Sequence, residues 1–311
     1  MANCLVTGGA GFIGSHLAER LVRDGHRVRV VDNLSTGDER NLAHLAHELE
    51  FERGDLRDPA TCRKVCAGIE LIYHVAALPS VPRSMADPWA SHDHNVNGTM
   101  QLLLAARDAG ARRVVYSSSS SVYGDTPVLP KVETLEPLPR SPYAAAKLAG
   151  EQAVLAFSRS GVLEGVALRY FNVFGPRQSP GSAYAAIIPV LLEVALKGGA
   201  APLYGDGSQT RDFTYVANVV AANLLAATAP AATACGWPMN IGAGTRTSLL
   251  ELVELVREIT GRPVAIERRP PRDGDVRDSL AGLERASNLL GYRPSVALRE
   301  GLQHTWEWFQ G

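Results

Sequence analysis

A serine, a tyrosine and a lysine in this chain are spaced as a proton-transfer set would be. Ser119 follows an apolar stretch at 113–117 that is typical of a β-strand, and Tyr143 comes 24 residues later. Lys147 lies four residues after Tyr143, so on a helix the two side chains share one face. An ammonium beside a phenol favours the phenolate, so a tyrosine that ordinarily titrates at about 10 could act as a base near neutral pH, with the Ser119 hydroxyl sharing the proton. The alternative is a packed tyrosine beside a solvated lysine.

A glycine-rich turn stands near the amino terminus between elements of regular structure. Their order is a strand at 4–7, a turn at 8–14, a helix at 15–24 and a strand at 28–31 that ends at Asp32. Glycines let backbone amides approach a pyrophosphate, and the helix amino terminus adds partial positive charge. Asp32 lies 18 residues after Gly14, close to where an acid binds a ribose hydroxyl. The pattern predicts a dinucleotide site, the alternative being an ordinary glycine-rich turn.

The acids of this region bear on which dinucleotide binds. Asp32 would repel a 2′-phosphate and no arginine follows it directly, which favours NAD over NADP. Residues 50–56 are typical of the end of a third strand and place Asp55 where it could meet the adenine. The alternative for Asp55 is a helix N-cap before Pro59.

Strand and helix alternate over the first half of the chain. Further strands are predicted at 71–75, 113–117 and 166–170, with helices between them at 97–109 and 143–158. Such alternation predicts an α/β fold of the Rossmann type, with a doubly wound parallel sheet. Beyond Asn172 come glycine- and proline-rich loops with helices near 186–197, 218–229 and 248–260. We therefore expect a dinucleotide-binding domain at 1–172 and a smaller α/β substrate domain at 173–311, with segments near 211–243 partly returning to the sheet.

Composition excludes several classes of protein. The 31 Lys and Arg against 32 Asp and Glu give a net charge of −1, which provides no electrostatic footprint for nucleic acid or an anionic membrane. Four cysteines are too few for a disulfide scaffold. Neither Cys62 with Cys66 nor His92 with His94 has further ligands nearby, so no metal is expected. A strand from Leu5 leaves no room for a signal peptide, and polar residues interrupt 216–235, so a cytoplasmic protein without a membrane span is expected.

The whole chain resembles the extended short-chain dehydrogenases/reductases, in their nucleotide-sugar epimerase branch. The matching motifs are 7–14 (TGGAGFIG), 32–34 (DNL), 74–77 (HVAA), 95–99 (NVNGT), Ser119, Tyr143, Lys147 and 169–172 (RYFN). The resemblance implies that Ser119, Tyr143 and Lys147 form a catalytic triad and that NAD is tightly bound and regenerated at each turnover. The NAD-site residues it implies are Gly8, Gly11, Phe12, Ile13, Gly14, Asp32, Asn33, Ser35, Thr36, Gly37, Asp55, Leu56, Ala76, Ala77, Asn95, Tyr143, Lys147 and Phe171.

Two positions discriminate among the reactions of that family. Dehydratases carry an Asp-Glu pair directly after the strand-end hydroxyl, and UDP-glucuronate decarboxylases carry a glutamate at the second of these positions. This chain has Ser120 and Ser121 there. Without carboxylates for elimination, reversible oxidation at the sugar C4 is expected. Tyr143 would take the 4-hydroxyl proton while hydride passes to NAD. The 4-keto sugar would then rotate in the site and receive hydride on its opposite face.

The expected substrate is a UDP-sugar. Segments 81–84, 168–175, 183–186 and 274–281 are similar to UDP-N-acetylglucosamine 4-epimerases of the O-antigen type, whereas Pro79 differs from some of them. Epimerases restricted to plain sugars carry a tyrosine where this chain has Ser279, so UDP-GlcNAc and UDP-GalNAc are expected, together with UDP-Glc and UDP-Gal. The predicted substrate contacts are Ser80, Ser119, Ser120, Tyr143, Asn172, Gln178, Tyr204, Arg211, Arg272, Asp275 and Ser279. Of these, the resemblance implies that Arg211 and Arg272 bind the diphosphate. The alternatives are surface ion pairs for Arg211 and Arg272 and a solvated loop residue for Ser279.

Rival functions and the assembly state stay open. A UDP-glucuronate 4-epimerase would need a cation for the C6 carboxylate, a one-way dehydrogenase or reductase would release NADH, and a regulator would bind NAD without chemistry. A homodimer is expected, because members of the family commonly pair two helices per subunit. The small residues available for such packing are Leu103, Ala106, Ala145, Ala149 and Ala153, which could equally pack on the sheet.

Overall fold

The computed structural model describes residues 1–180, 186–271 and 276–311. The strands are β1 (Asn3–Thr7), β2 (Arg27–Asp32), β3 (Leu49–Arg53), β4 (Leu71–His74), β5 (Arg113–Ser119), β6 (Glu164–Tyr170), β7 (Val173–Phe174), β8 (Ala200–Tyr204), β9 (Thr210–Arg211), β10 (Thr214–Tyr215), β11 (Pro238–Ile241), β12 (Thr247–Ser248) and β13 (Ala265–Arg269). The α-helices are α1 (Phe12–Arg23), α2 (Pro59–Cys66), α3 (Val81–Ala86), α4 (Pro88–His92), α5 (Gly98–Asp108), α6 (Pro142–Arg159), α7 (Ile187–Lys197), α8 (Val216–Thr228), α9 (Ala231–Ala234), α10 (Leu249–Thr260), α11 (Glu284–Leu290) and α12 (Leu298–Gln310).

Seven strands form one parallel sheet. Their order is β3-β2-β1-β4-β5-β6-β11, and each neighbouring pair runs parallel. The first six follow the Rossmann order, which confirms the predicted fold class. The chain reverses its direction of progress between β1 and β4, and ligands of such sheets bind in the crevice beyond the strand carboxyl ends at that switch point.

Both faces of the sheet are covered because side chains alternate along each strand. On one face, Cys4 and Val6 of β1 join an apolar core with α1, α8 and α11. On the other face, Leu5 joins a core with α2, α5 and α6. The helices that later contribute site residues, α1 and α6, are thus fixed against opposite faces of the sheet.

A further apolar core lies in the carboxyl-terminal part of the chain. It contains buried side chains of α7, α10 and α12 together with β8. In contrast, α8 and β11 pack in the core of the main sheet. We therefore propose a domain boundary near residue 172, with residues 216–241 belonging to the dinucleotide-binding domain.

The cysteines are free, and Cys4, Cys62 and Cys66 are buried. Burial raises the pKa of each of these three thiols to about 12, so they stay protonated at neutral pH. Among the described residues no group of three or more His, Cys, Asp or Glu side chains could hold a metal ion. Within the same residues, no helix has the length and apolar character needed to cross a membrane.

Candidate active site

The turn between β1 and α1 is built for close backbone approach. Gly8 has a φ of +67°, and a Cβ there would lie 2.7 Å from the Ala76 Cα. A Cβ on Gly14 would lie 2.2 Å from the Gly8 carbonyl oxygen. The N-cap of α1 is Gly11, which has no side chain to cap the helix, so the first amides of α1 keep their donors for a ligand. The turn therefore fits the pyrophosphate of NAD.

A cavity of about 370 Å³ opens from this turn along the carboxyl ends of β1, β2 and β4. The predicted cofactor residues that line it are Gly8, Gly11, Phe12, Ile13, Gly14, Asp32, Asn33, Ser35, Thr36, Asp55, Leu56, Ala76, Ala77, Tyr143 and Lys147. Three others lie elsewhere. Gly37 packs behind Asp32, Asn95 bonds to a loop, and Phe171 lines the neighbouring cavity.

Asp32 and Asp55 are held differently. Asp32 is buried at the end of β2 and accepts hydrogen bonds from the amides of Ala10 (3.0 Å) and Leu34 (2.8 Å), while burial raises its pKa. Asp55 accepts from Asn33 Nδ2 at 2.9 Å and from Arg57, and the Arg57 guanidinium holds the pKa of that carboxyl well below its usual range. The N-cap of α2 is Asp58, so the capping alternative for Asp55 is wrong.

Asn95 does not line the first cavity, but it holds a loop beside it. It lies in a π-helical turn, Asp93–Asn97, between α4 and α5. Its side chain accepts from the Leu78 amide at 2.7 Å and donates to the Leu78 carbonyl at 3.1 Å, which fixes the loop after β4. The same turn brings His94 to the cavity lining, a placement that no sequence pattern signalled.

Local sequence explains where the three triad candidates stand. Ser119 ends β5. Tyr143 is the second residue of α6, after Pro142, and Ser141 caps the helix through the Ala144 amide. Lys147 follows one turn later, is 3% exposed and donates from Nζ to the Ser117 carbonyl at 2.8 Å. Two rigid elements thus bring the three side chains together.

The electrostatics of the pair differ from the expectation. Burial raises the pKa of Tyr143 to about 12, although a hydrogen bond with Ser119 opposes that shift. Burial also lowers the pKa of Lys147 to about 7. In the protein alone the phenol therefore keeps its proton at neutral pH, and Lys147 does not by itself make Tyr143 a base. Positive charge added beside Tyr143 would favour the phenolate.

A second cavity, of about 340 Å³, adjoins the first and shares the Tyr143 side chain with it. The predicted substrate residues that line it are Ser119, Ser120, Tyr143, Asn172, Arg211 and Ser279. Lys131 and Arg140 also line it and were missed, because they lie in a loop region without a recognisable motif. No described lining residue is Asp or Glu.

Ser279 is buried at 7% exposure, so the solvated-loop alternative is wrong. Its Oγ lies 3.3 Å from Asn172 Oδ1. The segment around it is held by Asp212, which is fully buried and accepts from the amides of Ala243, Gly244 and Ala281. Asp212 therefore stabilises the segment around Ser279 and does not form a surface ion pair with Arg211.

The other predicted substrate residues are dispersed. Tyr204 lines a third cavity of about 250 Å³, which shares Asn172 and Arg211 with the second. Gln178 lines the first cavity, and its Nε2 donates to the Val173 carbonyl at 3.0 Å. Ser80 lines none of these three cavities and caps α3 through the Arg83 amide. Arg272 and Asp275, like the motif at 183–185, lie outside the described residues.

Comparisons with known proteins agree with this geometry. A family model described as the NAD dependent epimerase/dehydratase family matches residues 4–242. A UDP-glucose 4-epimerase of Mycolicibacterium smegmatis is 42% identical and is aligned over 98% of both chains. The solved UDP-N-acetylglucosamine 4-epimerase of Methanobrevibacter ruminantium M1, in complex with UDP-N-acetylmuramic acid, has a TM-score of 0.93 at 37% identity and covers 99% of this chain and 98% of its own. The Thermus thermophilus UDP-glucose 4-epimerase in complex with NAD has a TM-score of 0.91 at 35% identity, with 99% of each chain covered.

These matches extend over the dinucleotide turn, the triad candidates and the carboxyl-terminal core. The resemblance found in the sequence motifs is thereby confirmed. The chain, with its Rossmann sheet, belongs to the NAD-dependent epimerase/dehydratase family of enzymes.

Proposed function

We propose that this protein is an NAD-dependent UDP-sugar 4-epimerase that interconverts UDP-GlcNAc with UDP-GalNAc and UDP-Glc with UDP-Gal. The observation that carries the proposal is the position of Tyr143 at the boundary of two cavities, one beside the dinucleotide turn and one beside Ser279. A phenol there can reach a sugar hydroxyl in one cavity while the cofactor occupies the other. The relatives described above act on UDP-glucose or UDP-N-acetylglucosamine by name, which supports the same substrate class.

Tyr143 is the proposed acid and base. Tyr170 also lines both cavities, but its hydroxyl lies 3.0 Å from Ser117 Oγ and accepts from Asn223 Nδ2 at 2.7 Å, so it is engaged in the core. Tyr143 instead lies near Ser119, whose hydroxyl lowers the pKa of the phenol and whose Oγ accepts from the Ser121 amide at 3.2 Å. Ser119 can therefore pass or share the proton of the sugar 4-hydroxyl with the phenol.

The chain supplies positioning, while the cofactor supplies redox chemistry. Bound NAD would supply reversible hydride acceptance for oxidation at C4, together with the positive charge of its oxidised form. Lys147 holds the wall of the cleft through the Ser117 carbonyl. Ser120 and Ser121 cannot supply the general acid and base that elimination of water needs, so the proposed chemistry is limited to oxidation and reduction at C4.

Ser279 is the proposed gate for the 2-acetamido group. Its small side chain lines the same cavity as the serine cluster at the end of β5 and leaves room for the sugar to turn. A tyrosine at this buried position would project into that space. Acetylated sugars should then be excluded, whereas the smaller plain sugars should still turn over.

The test is to incubate the protein without added cofactor with UDP-GlcNAc and, separately, with UDP-Gal, and to follow the anomeric protons by NMR. The wild-type protein should convert both. Ser279→Tyr should lose activity on UDP-GlcNAc selectively, and Ser279→Ala, which keeps the space open, should retain it. Equal loss on both substrates in Ser279→Tyr refutes the gate, and no conversion of either by the wild type refutes the proposed function.

UDP-glucuronate is a second candidate substrate, favoured by Arg140 and Lys131. Both line the second cavity, where the described lining carries no acidic residue. Arg140 also pairs with Asp125 at 2.9 Å, so a substrate carboxylate would share an existing cation. If this candidate is correct, the protein converts UDP-glucuronate to its 4-epimer, and Arg140→Gln raises KM for that substrate while leaving KM for UDP-Gal unchanged.

We propose a homodimer through α5 and α6, with the expected face of α6 and a different face of α5. Leu103 and Ala106 are fully buried in the core beneath α5, so for these two residues the alternative of packing on the sheet is correct. Ala145 and Ala149 of α6 are exposed, and small residues permit close helix approach. Light scattering coupled to size exclusion should give twice the monomer mass, and Ala149→Arg should give a monomer.

We also propose a cytoplasmic location. The four cysteines are free, as is typical of proteins kept in a reducing compartment. Cell fractionation of the producing organism would test this, and recovery with the membrane or secreted fraction would contradict it.

A further inference from the structure

The carboxyl end of β5 is fastened to α6 by hydrogen bonds from successive residues. Tyr116 Oη donates to the Lys147 carbonyl at 3.3 Å, and Lys147 Nζ donates to the Ser117 carbonyl at 2.8 Å. Ser118 Oγ donates to Glu151 Oε2 at 2.7 Å. Of these contacts, the one between Ser118 and Glu151 is used by no step of the proposed chemistry.

Glu151 is a fully buried carboxylate whose two oxygens both accept hydrogen bonds. It is 0% exposed, and Arg169 binds it as a fork, with Nε on Oε2 at 2.9 Å and a terminal nitrogen on Oε1 at 2.6 Å. Arg169 is 2% exposed and directly opposes Ser118 in the ladder between β5 and β6. The guanidinium also stacks on the Tyr123 ring at 4.8 Å. The carboxylate is thereby fixed in one place and one orientation.

The fixed carboxylate joins the two elements that carry the reacting groups. Ser118 is the residue before Ser119 on β5. Glu151 is two turns beyond Tyr143 on α6, and positions separated by eight residues share one helix face. The bond between Ser118 and Glu151 therefore ties the strand that carries the hydroxyl to the helix that carries the phenol. It lies one residue from Ser119 along β5 and eight residues from Tyr143 along α6.

We propose that Glu151, acting through Ser118, is a positioning residue that sets the separation between the Ser119 hydroxyl and the Tyr143 phenol. This inference rests on the proposed function, because it assigns those two groups to proton transfer. A displacement on the order of 1 Å between reacting groups can cost about 100-fold in rate. Loss of the tie should therefore lower kcat without changing how tightly substrate and NAD are held.

Ser118→Ala is the main test, because it removes the tie and keeps the ion pair between Glu151 and Arg169. Glu151→Asp is the second variant, since it keeps the charge for Arg169 and shortens the reach to Ser118 by one methylene. Glu151→Gln is avoided because it leaves Arg169 without a counter-charge in the core. The matched control is Thr305→Val, which removes a hydroxyl that is equally buried, at 1% exposure, in α12 and remote from the cavities.

The readouts are kcat and KM for UDP-Gal, NAD content after gel filtration, and the melting temperature. Ser118→Ala and Glu151→Asp should lower kcat by about 10- to 100-fold per NAD-loaded protein, with KM and NAD content unchanged and Thr305→Val as active as wild type. Wild-type kcat in Ser118→Ala with a lowered melting temperature overturns the inference and leaves the proposed function intact. Loss of kcat in proportion to lost NAD also overturns it, and an inactive wild-type protein overturns both.

Discussion

Replacing Gly14 with alanine places a methyl group against the backbone of the dinucleotide turn. The new Cβ would lie 2.2 Å from the Gly8 carbonyl oxygen and 2.7 Å from the Gly9 Cα. Both atoms are backbone, so no side chain can move aside and the turn itself must shift. In a helix, alanine is ordinarily favoured over glycine by up to about 1 kcal/mol. Overpacking of a tight site costs about 1–3 kcal/mol, so we expect a net loss of stability in Gly14→Ala.

Gly98→Ala is the matched control for this perturbation. Gly98 is also helical, but its Cβ would meet nothing nearer than the Leu56 Cβ at 3.6 Å, an ordinary contact. This variant should therefore keep or slightly raise the free energy of unfolding.

The assay combines urea unfolding with the NAD content of protein that has passed through gel filtration. Gly14→Ala should unfold at lower urea concentration and lose NAD, because a shifted turn no longer presents the amides of α1 to the pyrophosphate; about 1.4 kcal/mol of lost binding is a tenfold weaker affinity. Gly98→Ala should retain NAD as the wild type does. Full NAD content and unchanged stability in Gly14→Ala would refute the assignment of this turn to the cofactor.

Three further predictions concern the phenol, a half-buried histidine and the π-helical turn. Tyr143→Phe should lower kcat by about 10²–10⁴-fold with NAD content intact, and near-wild-type turnover would contradict the role of the phenol. Burial lowers the pKa of His16 to about 4, so between pH 4 and 6.5 the unfolded chain binds a proton that the folded chain excludes, and stability falls as the pH falls through that window. His16→Asn should reduce that fall by up to about 3 kcal/mol relative to the exposed control His47→Asn, as measured by urea unfolding at each pH; equal slopes in both would contradict the argument. Asn95→Ala leaves the amide and carbonyl of Leu78 without partners and should lower the free energy of unfolding by about 1–3 kcal/mol, whereas an unchanged value would contradict the assigned contacts.

The parts of the site that follow local rules could be predicted from the sequence. The glycine-rich turn and the acid at Asp32 depend on spacing within one strand, helix and strand unit, although α1 begins at Phe12, three residues before the expected start. The helix that carries Tyr143 and Lys147 begins at Pro142, one residue before the expected start. The order of the first six sheet strands follows from the handed connections of such units. These features need no knowledge of distant contacts.

The parts that depend on distant contacts could not be predicted. Lys131 reaches the second cavity because its backbone pairs with that of Leu280 and Gly282, about half the chain away. Asp212 resembles a partner for Arg211 in the sequence, but tertiary packing turns it inward onto three amides. The exposed side of α5 depends on how the helix is rotated on the sheet, so the sequence could not decide whether Leu103 meets a partner or packs on the sheet, as it does here.

The proposed function requires that the sugar C4 is transiently oxidised by a cofactor that stays bound. The most direct test is to incubate the protein, with no added NAD, with UDP-GlcNAc that carries deuterium at C4, and to follow the label in the product by NMR and mass spectrometry. We expect UDP-GalNAc that retains the deuterium at C4, with no NADH released. Deuterium lost to solvent, or product that forms only when NAD is supplied and NADH accumulates, would contradict the account.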